Sequence, residues 1–171
     1  MKWIALIAFL CFSTTGPRVR GIQIEGDISV YAKKTIEDLY LLEDELIQPI
    51  KRIVFQPLHE ETQASAKTDG TILISSLNYS PLRLRHEAYH LFNRYACLPN
   101  RCTDSEEFET GWEEEKENLK LPPYFLQNEE EIFAGLCLEN WMDPQSFQNQ
   151  APKLSAWLNH LFQQKRAKGD Q

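Results

Sequence analysis

No apolar run in this chain approaches the roughly 20 residues that cross a bilayer as a helix; the longest, Ile4 to Phe12, has nine. A spanning anchor is therefore excluded. Positive charge is also short: 18 Lys and Arg stand against 25 Asp and Glu, for a net charge of -7. That acidity argues against a phosphate-binding surface, so nucleic acid is not an expected partner. Paired C-x2-C spacing is missing, which removes a cysteine-built zinc site. Internal repeats and low-complexity tracts are absent, and nothing marks a second domain. What is left is one ordinary globular domain with enough apolar material for a core.

The N-terminus differs from the rest. Lys2 gives a short basic start, Ile4 to Phe12 an apolar segment, and Ser13-Thr14-Thr15-Gly16 small residues for cleavage. This reads as a Sec-type signal peptide over about residues 1–16, ahead of a soluble domain over 17–171 that is secreted or periplasmic. Leu10 stands before Cys11 where a lipid anchor needs a small residue, so stable membrane attachment after cleavage is not expected. In an oxidising compartment Cys97 and Cys102, separated by Leu98-Pro99-Asn100-Arg101, can pair. Cys137, among Phe133, Leu136 and Leu138, reads as a small buried hydrophobe in a helix.

From Asp27 to Ile50 apolar residues recur at helical spacing and predict one long amphipathic helix. Ile53-Val54-Phe55 reads as a short buried strand, and Asp69-Gly70 as a turn. Thr71-Ile72-Leu73-Ile74-Ser75 reads as a second strand. Ser80-Pro81 predicts an N-cap with proline at the first helical position, opening a helix through His86 and His90 to about Tyr95. The acidic stretch Asp104 to Glu117 reads as an exposed helix or ordered loop, with Glu113-Glu114-Glu115 as a solvated face. Asn128 opens a helix to about Trp141, and Pro152 to Gln164 closes the chain as an amphipathic helix. The order of helix, strands, then helices is α+β, mainly helical, with a small sheet ahead of the His86–His90 helix.

Residues i and i+4 share one helix face, so His86 and His90 can present both imidazoles to one metal ion. Glu87 projects beside that ion, where a carboxylate can take a proton from a water attacking a peptide carbonyl. His86-Glu87-Ala88-Tyr89-His90 thus has the H-E-x-x-H spacing of metallopeptidases. The competing reading is a solvated histidine pair on an exposed helix. A catalytic zinc also needs a third protein ligand. Glu131 is one candidate, its helix carrying the small residues Ala134 and Gly135. Asn128-Glu129-Glu130-Glu131 equally spells a capping box in which Glu131 merely closes the helix start, and periodicity does not decide between the two. His59 and His160 read as surface or packing residues.

The segment from His86 to about Phe162, about 80 residues, resembles the catalytic domain of anthrax lethal factor and its relatives, which include the Pro-Pro endopeptidases. The resemblance is carried by His86-Glu87-x-x-His90, by Tyr124, by Asn128-Glu129-x-Glu131-x-Phe133-Ala134, and by Asn149-Gln150-Ala151-Pro152-Lys153 ahead of the last helix. It implies a zincin-like fold and one zinc ion held by His86, His90 and Glu131. It further implies Glu87 as general base and Tyr124 as the phenol that hydrogen-bonds the tetrahedral intermediate. Thr71, Ile72, Leu73, Ile74 and Ser75 would be the edge strand that pairs with an extended peptide, although the same residues read equally as a core strand. Gly135 departs from the pattern, standing where lethal factor carries a further acidic residue. The function so implied is an exported zinc endopeptidase, expected as a monomer acting on protein or peptide substrates. The competing class is an inert secreted binding module on the same scaffold.

Overall fold

The computed structural model describes residues 17–58 and 64–169; the expected signal peptide and His59 lie outside these residues. The fold is α+β. A short strand β1 (Arg18–Val19) turns back antiparallel onto β2 (Ile22–Gly26), whose Ile22 and Ile24 are buried. Gly26 ends β2 at φ +89°, and a Cβ there would overlap the Phe55 carbonyl, so only glycine fits. Helix α1 (Val30–Asp38) follows, its Ser29 cap accepting from the Ala32 amide, then a 3-10 turn (Leu39–Leu41) and the short α2 (Asp44–Ile47).

The single long helix expected over Asp27 to Ile50 is therefore broken, and arginines stabilise the break. The Arg20 guanidinium takes the carbonyls of Leu39 and Leu42 and pairs with Asp44, while Arg85 takes the Leu41 carbonyl and binds Glu43. The backbone is extended at Leu42 and Glu43, and the carbonyls left without amides by that break are satisfied by the two guanidinium groups.

Strands β3 (Arg52–Gln56), β4 (Ala64–Ala66) and β5 (Thr71–Ser75) complete a mixed sheet ordered β1-β2-β3-β5-β4. β2, β3 and β5 run parallel, and β4 runs antiparallel to β5. Ile53, Phe55, Ile72 and Ile74 alternate into the core as period-2 patterning requires. Thr71–Ser75 is thus not an edge strand. It is paired on both sides, by β3 and by β4, and the edge belongs to Ala64–Ala66. The run is apolar because it is an inner strand; the true edge is three small residues.

Helix α3 (Arg83–Tyr95) begins two residues later than Ser80-Pro81 predicts, with Leu82 at its N-cap, and every residue from Leu84 to Asn93 is buried. An exposed helix carrying a solvated histidine pair is thereby excluded. A disulfide joins Cys97 to Cys102 just beyond α3, and a 3-10 turn (Cys102–Asp104) leads into α4 (Glu106–Glu115). Two further 3-10 turns (Lys116–Asn118 and Pro123–Leu126) precede α5 (Glu129–Met142), α6 (Pro144–Gln150) and α7 (Pro152–Gly169). Phe92 of α3 stacks on Phe162 of α7 and on Phe133 of α5, and Trp157 of α7 meets both Phe133 and Phe108 of α4. This aromatic core fixes α5 against α3. No helix among the described residues is long and apolar enough to cross a membrane.

The acidic stretch is more embedded than a solvated face. Glu115 is buried, and its two carboxylate oxygens accept from the backbone amides of Lys153 and Leu154, capping the start of α7. Glu113 and Glu114 remain exposed.

Candidate metal centre

His86 and His90 lie one turn apart on α3, and their Nε2 atoms converge to 3.0 Å. Glu131 comes to them from the first turn of α5. Its Oε2 lies 3.2 Å from His86 Nε2 and its Oε1 3.3 Å from His90 Nε2. The Asn128 side chain accepts from the Glu131 amide at 3.0 Å, which is one half of a capping box; the other half is not made, because the Glu131 carboxylate is turned onto the two imidazoles and not back to the Asn128 amide. The Glu131 side chain is only 15% exposed. The three residues form a buried group that can hold a metal ion.

Polar bookkeeping points the same way. Two imidazole nitrogens at 3.0 Å can share at most one proton between them, and Glu131 Oε2 is buried without a hydrogen-bond partner. A cation at their common focus satisfies all three atoms together. Desolvation raises the Glu131 carboxyl, but its contacts with His86 and His90 outweigh burial and hold it at about 2, so it is an anion throughout the neutral range. His90 Nδ1 is also buried without a protein partner among the described residues, so no acceptor steadies that ring from behind.

Glu87 is buried beside this group. Desolvation pushes its carboxyl up to about 7, against the opposing pull of His86 and of the Ala66 backbone. The tie between α3 and the sheet edge is made by Arg94, whose guanidinium donates to the Ala66 carbonyl at 3.2 Å and pairs with Glu130. Tyr124 sits in the 3-10 turn before α5, half exposed at 52%, with its ring 6.0 Å from that of His86. Burial, then the negative charges of Glu131 and Glu87, push its phenol up to about 12, so it carries its proton at neutral pH.

The structure thus brings His86, Glu87, His90, Tyr124 and Glu131 together. Thr71–Ser75 is not available as an edge, and His160 is exposed on α7 beside Gln164. Sequence reasoning missed three contributors. Phe125 packs its ring 5.7 Å from His86 and lies against Gly135, where an added Cβ would stand 2.7 Å from the ring. Gly135 therefore lets the Tyr124 turn lie down on α5 rather than letting α5 approach α3. Ala66 and Arg94 are the others, and the spacing of Arg94, one turn beyond His90 on the same face, was the available signal. No known family model matches the chain, and no curated protein matches it.

Proposed function

We propose that this protein is an exported zinc-dependent endopeptidase with a zincin-like fold. The observation that carries the reading is the convergence of two imidazole nitrogens and one carboxylate beside a buried glutamate. A tetrahedral zinc with bonds of about 2.0–2.1 Å spaces its ligand atoms roughly 3.3 Å apart; here the two imidazole nitrogens stand 3.0 Å apart, and each meets a different oxygen of Glu131, at 3.2 and 3.3 Å. Two nitrogens and one oxygen suit zinc, and three protein ligands are the number found in catalytic rather than structural sites. When bound there, zinc supplies Lewis acidity toward a water and a peptide carbonyl.

The chain's own groups supply the rest. Glu87, near neutral in its proton affinity, takes a proton from the attacking water and returns it to the leaving amine. Tyr124 keeps its hydroxyl proton and donates it as a hydrogen bond where the carbonyl oxygen gains charge, favouring the transition state over the ground state. The backbone pairing expected of Thr71–Ser75 passes to Ala64–Ala66, the sheet edge tied to α3 through Ala66 and Arg94. The disulfide between Cys97 and Cys102 supports an oxidising compartment, in keeping with a leader at residues 1–16.

Cleavage of a peptide library by wild type and by Glu87→Ala tests this reading. Wild type should cleave, and Glu87→Ala should lose on the order of 10²–10⁴ in rate while keeping its metal. Cleavage that survives in pure Glu87→Ala refutes the general-base role, and inactivity of both proteins at full metal loading refutes the peptidase reading.

A further inference from the structure

We propose that Arg94 is a positioning residue for the metal centre, setting Glu131 against the histidine pair through Glu130 and holding α3 to the sheet edge at Ala66. The proposal rests on the zinc-site reading above. Arg94 lies four residues beyond His90 and eight beyond His86, on the face of α3 that carries both imidazoles. Its guanidinium meets the Glu130 carboxylate at two points, Nε to Oε1 at 3.3 Å and Nη2 to Oε2 at 2.5 Å. Its Nη1 donates to the Ala66 carbonyl at 3.2 Å. One rigid fork therefore joins three elements whose relative placement the site needs: α3, the first turn of α5, and the sheet edge.

The need for such a tie follows from where Glu131 sits. It is the third residue of α5, in the turn with fewest intrahelical hydrogen bonds, yet its carboxylate must reach a point set by another helix. The three successive glutamates leave α5 about 100° apart, and a different group takes each one. Arg101, in the disulfide-closed loop, binds Glu129; Arg94 binds Glu130; the imidazoles meet Glu131. The Arg94–Glu130 pair is largely shielded, at 22% and 28% side-chain exposure, so its geometry is held more firmly than that of a surface pair. A fork with two parallel contacts fixes orientation as well as distance, which a lysine cannot do.

The test measures zinc affinity by competition with a chromophoric chelator in wild type, Arg94→Gln, Arg94→Lys, Glu130→Gln and the Arg94→Gln/Glu130→Gln double variant. Cobalt absorption spectra and metal-free melting temperatures are recorded alongside. Glu130→Gln is nearly isosteric and keeps the protein folded even if Arg94→Gln does not. Each single variant should weaken zinc binding about 10–100-fold, the scale for groups that orient a ligand. Arg94→Lys should resemble Arg94→Gln rather than wild type, and the double variant should be no weaker than the worse single one, because both sever one link. The cobalt spectrum should shift in each variant, a change that lost stability alone does not produce. Zinc affinity within threefold of wild type in both Glu130→Gln and Arg94→Gln, losses that multiply in the double variant, or full retention by Arg94→Lys would overturn the proposal while leaving the zinc site standing. A wild type that takes up no zinc removes the zinc reading itself, and this proposal with it.

Discussion

Glu113-Glu114-Glu115 and Glu129-Glu130-Glu131 are the same three residues, one set at the end of α4 and the other at the start of α5. In each run the last glutamate is turned into the protein. Glu115, 5% exposed, has both oxygens met by backbone amides at 2.9 Å. Its hydrogen-bonding capacity is spent on holding the start of α7, and it has no further ligand to seek. Glu131 has its own helix capped by Asn128, and its oxygens face two imidazole nitrogens instead of amides. Amide hydrogens close a carboxylate's chemistry, whereas imidazole lone pairs beside it need a shared cation. The difference between the two acids lies in what faces their oxygens, not in sequence context.

Chelation should separate the two runs most strongly. With free zinc at about 1,000 times its dissociation constant, bound metal adds about 4 kcal/mol to wild-type stability, on the order of 10 °C in melting temperature. A chelator should remove that increment from wild type and from Glu115→Ala, and should leave Glu131→Gln unmoved. Equal sensitivity in Glu131→Gln would erase the distinction.

Glu115→Ala should come next in size. One buried amide, that of Leu154, and one partly buried, that of Lys153, lose their acceptor, costing about 1–3 kcal/mol in a denaturant or thermal titration, with zinc stoichiometry unchanged. A loss of zinc in this variant would show that the α4 run also serves the metal. Gly135→Ala should cost about 1–2 kcal/mol by crowding Phe125, and because that turn carries Tyr124 it should lower kcat more than it raises KM. A pure KM effect would detach Tyr124 from the chemistry.

The exposed members of both runs should matter least. Glu114→Gln and Glu129→Gln break ion pairs with Lys153 and Arg101 at the surface, and each should stay within about 0.5 kcal/mol of wild type by the same titrations. A larger loss in Glu129→Gln alone would mark the first turn of α5 as more tightly sprung than the last turn of α4.

The pattern of helices and strands was largely legible because it is local. Thr71–Ser75 and the α5 start at Asn128 follow from β-branched runs and capping chemistry. The broken helix over 27–50 was not legible, because its carbonyls are taken by Arg20 and Arg85 from 19 or more residues away. Strand order was likewise beyond reach: an inner strand and an edge strand can have the same composition, and only pairing tells them apart. At the site, H-E-x-x-H spacing places His86, Glu87 and His90 on one helix. Glu131 stays even between ligand and cap in the sequence, because only the placement of α5 against α3 turns its carboxylate onto the imidazoles. The contacts of Arg94 with Glu130 and Ala66 are not legible because they run between elements.

Zinc stoichiometry in purified wild type and in Glu131→Gln tests the central distinction most directly. Wild type should hold close to one zinc per chain, and Glu131→Gln should hold almost none while its metal-free form melts near the metal-free wild type. Equal zinc content in the two proteins would contradict Glu131 as a ligand and return it to the role that Glu115 plays.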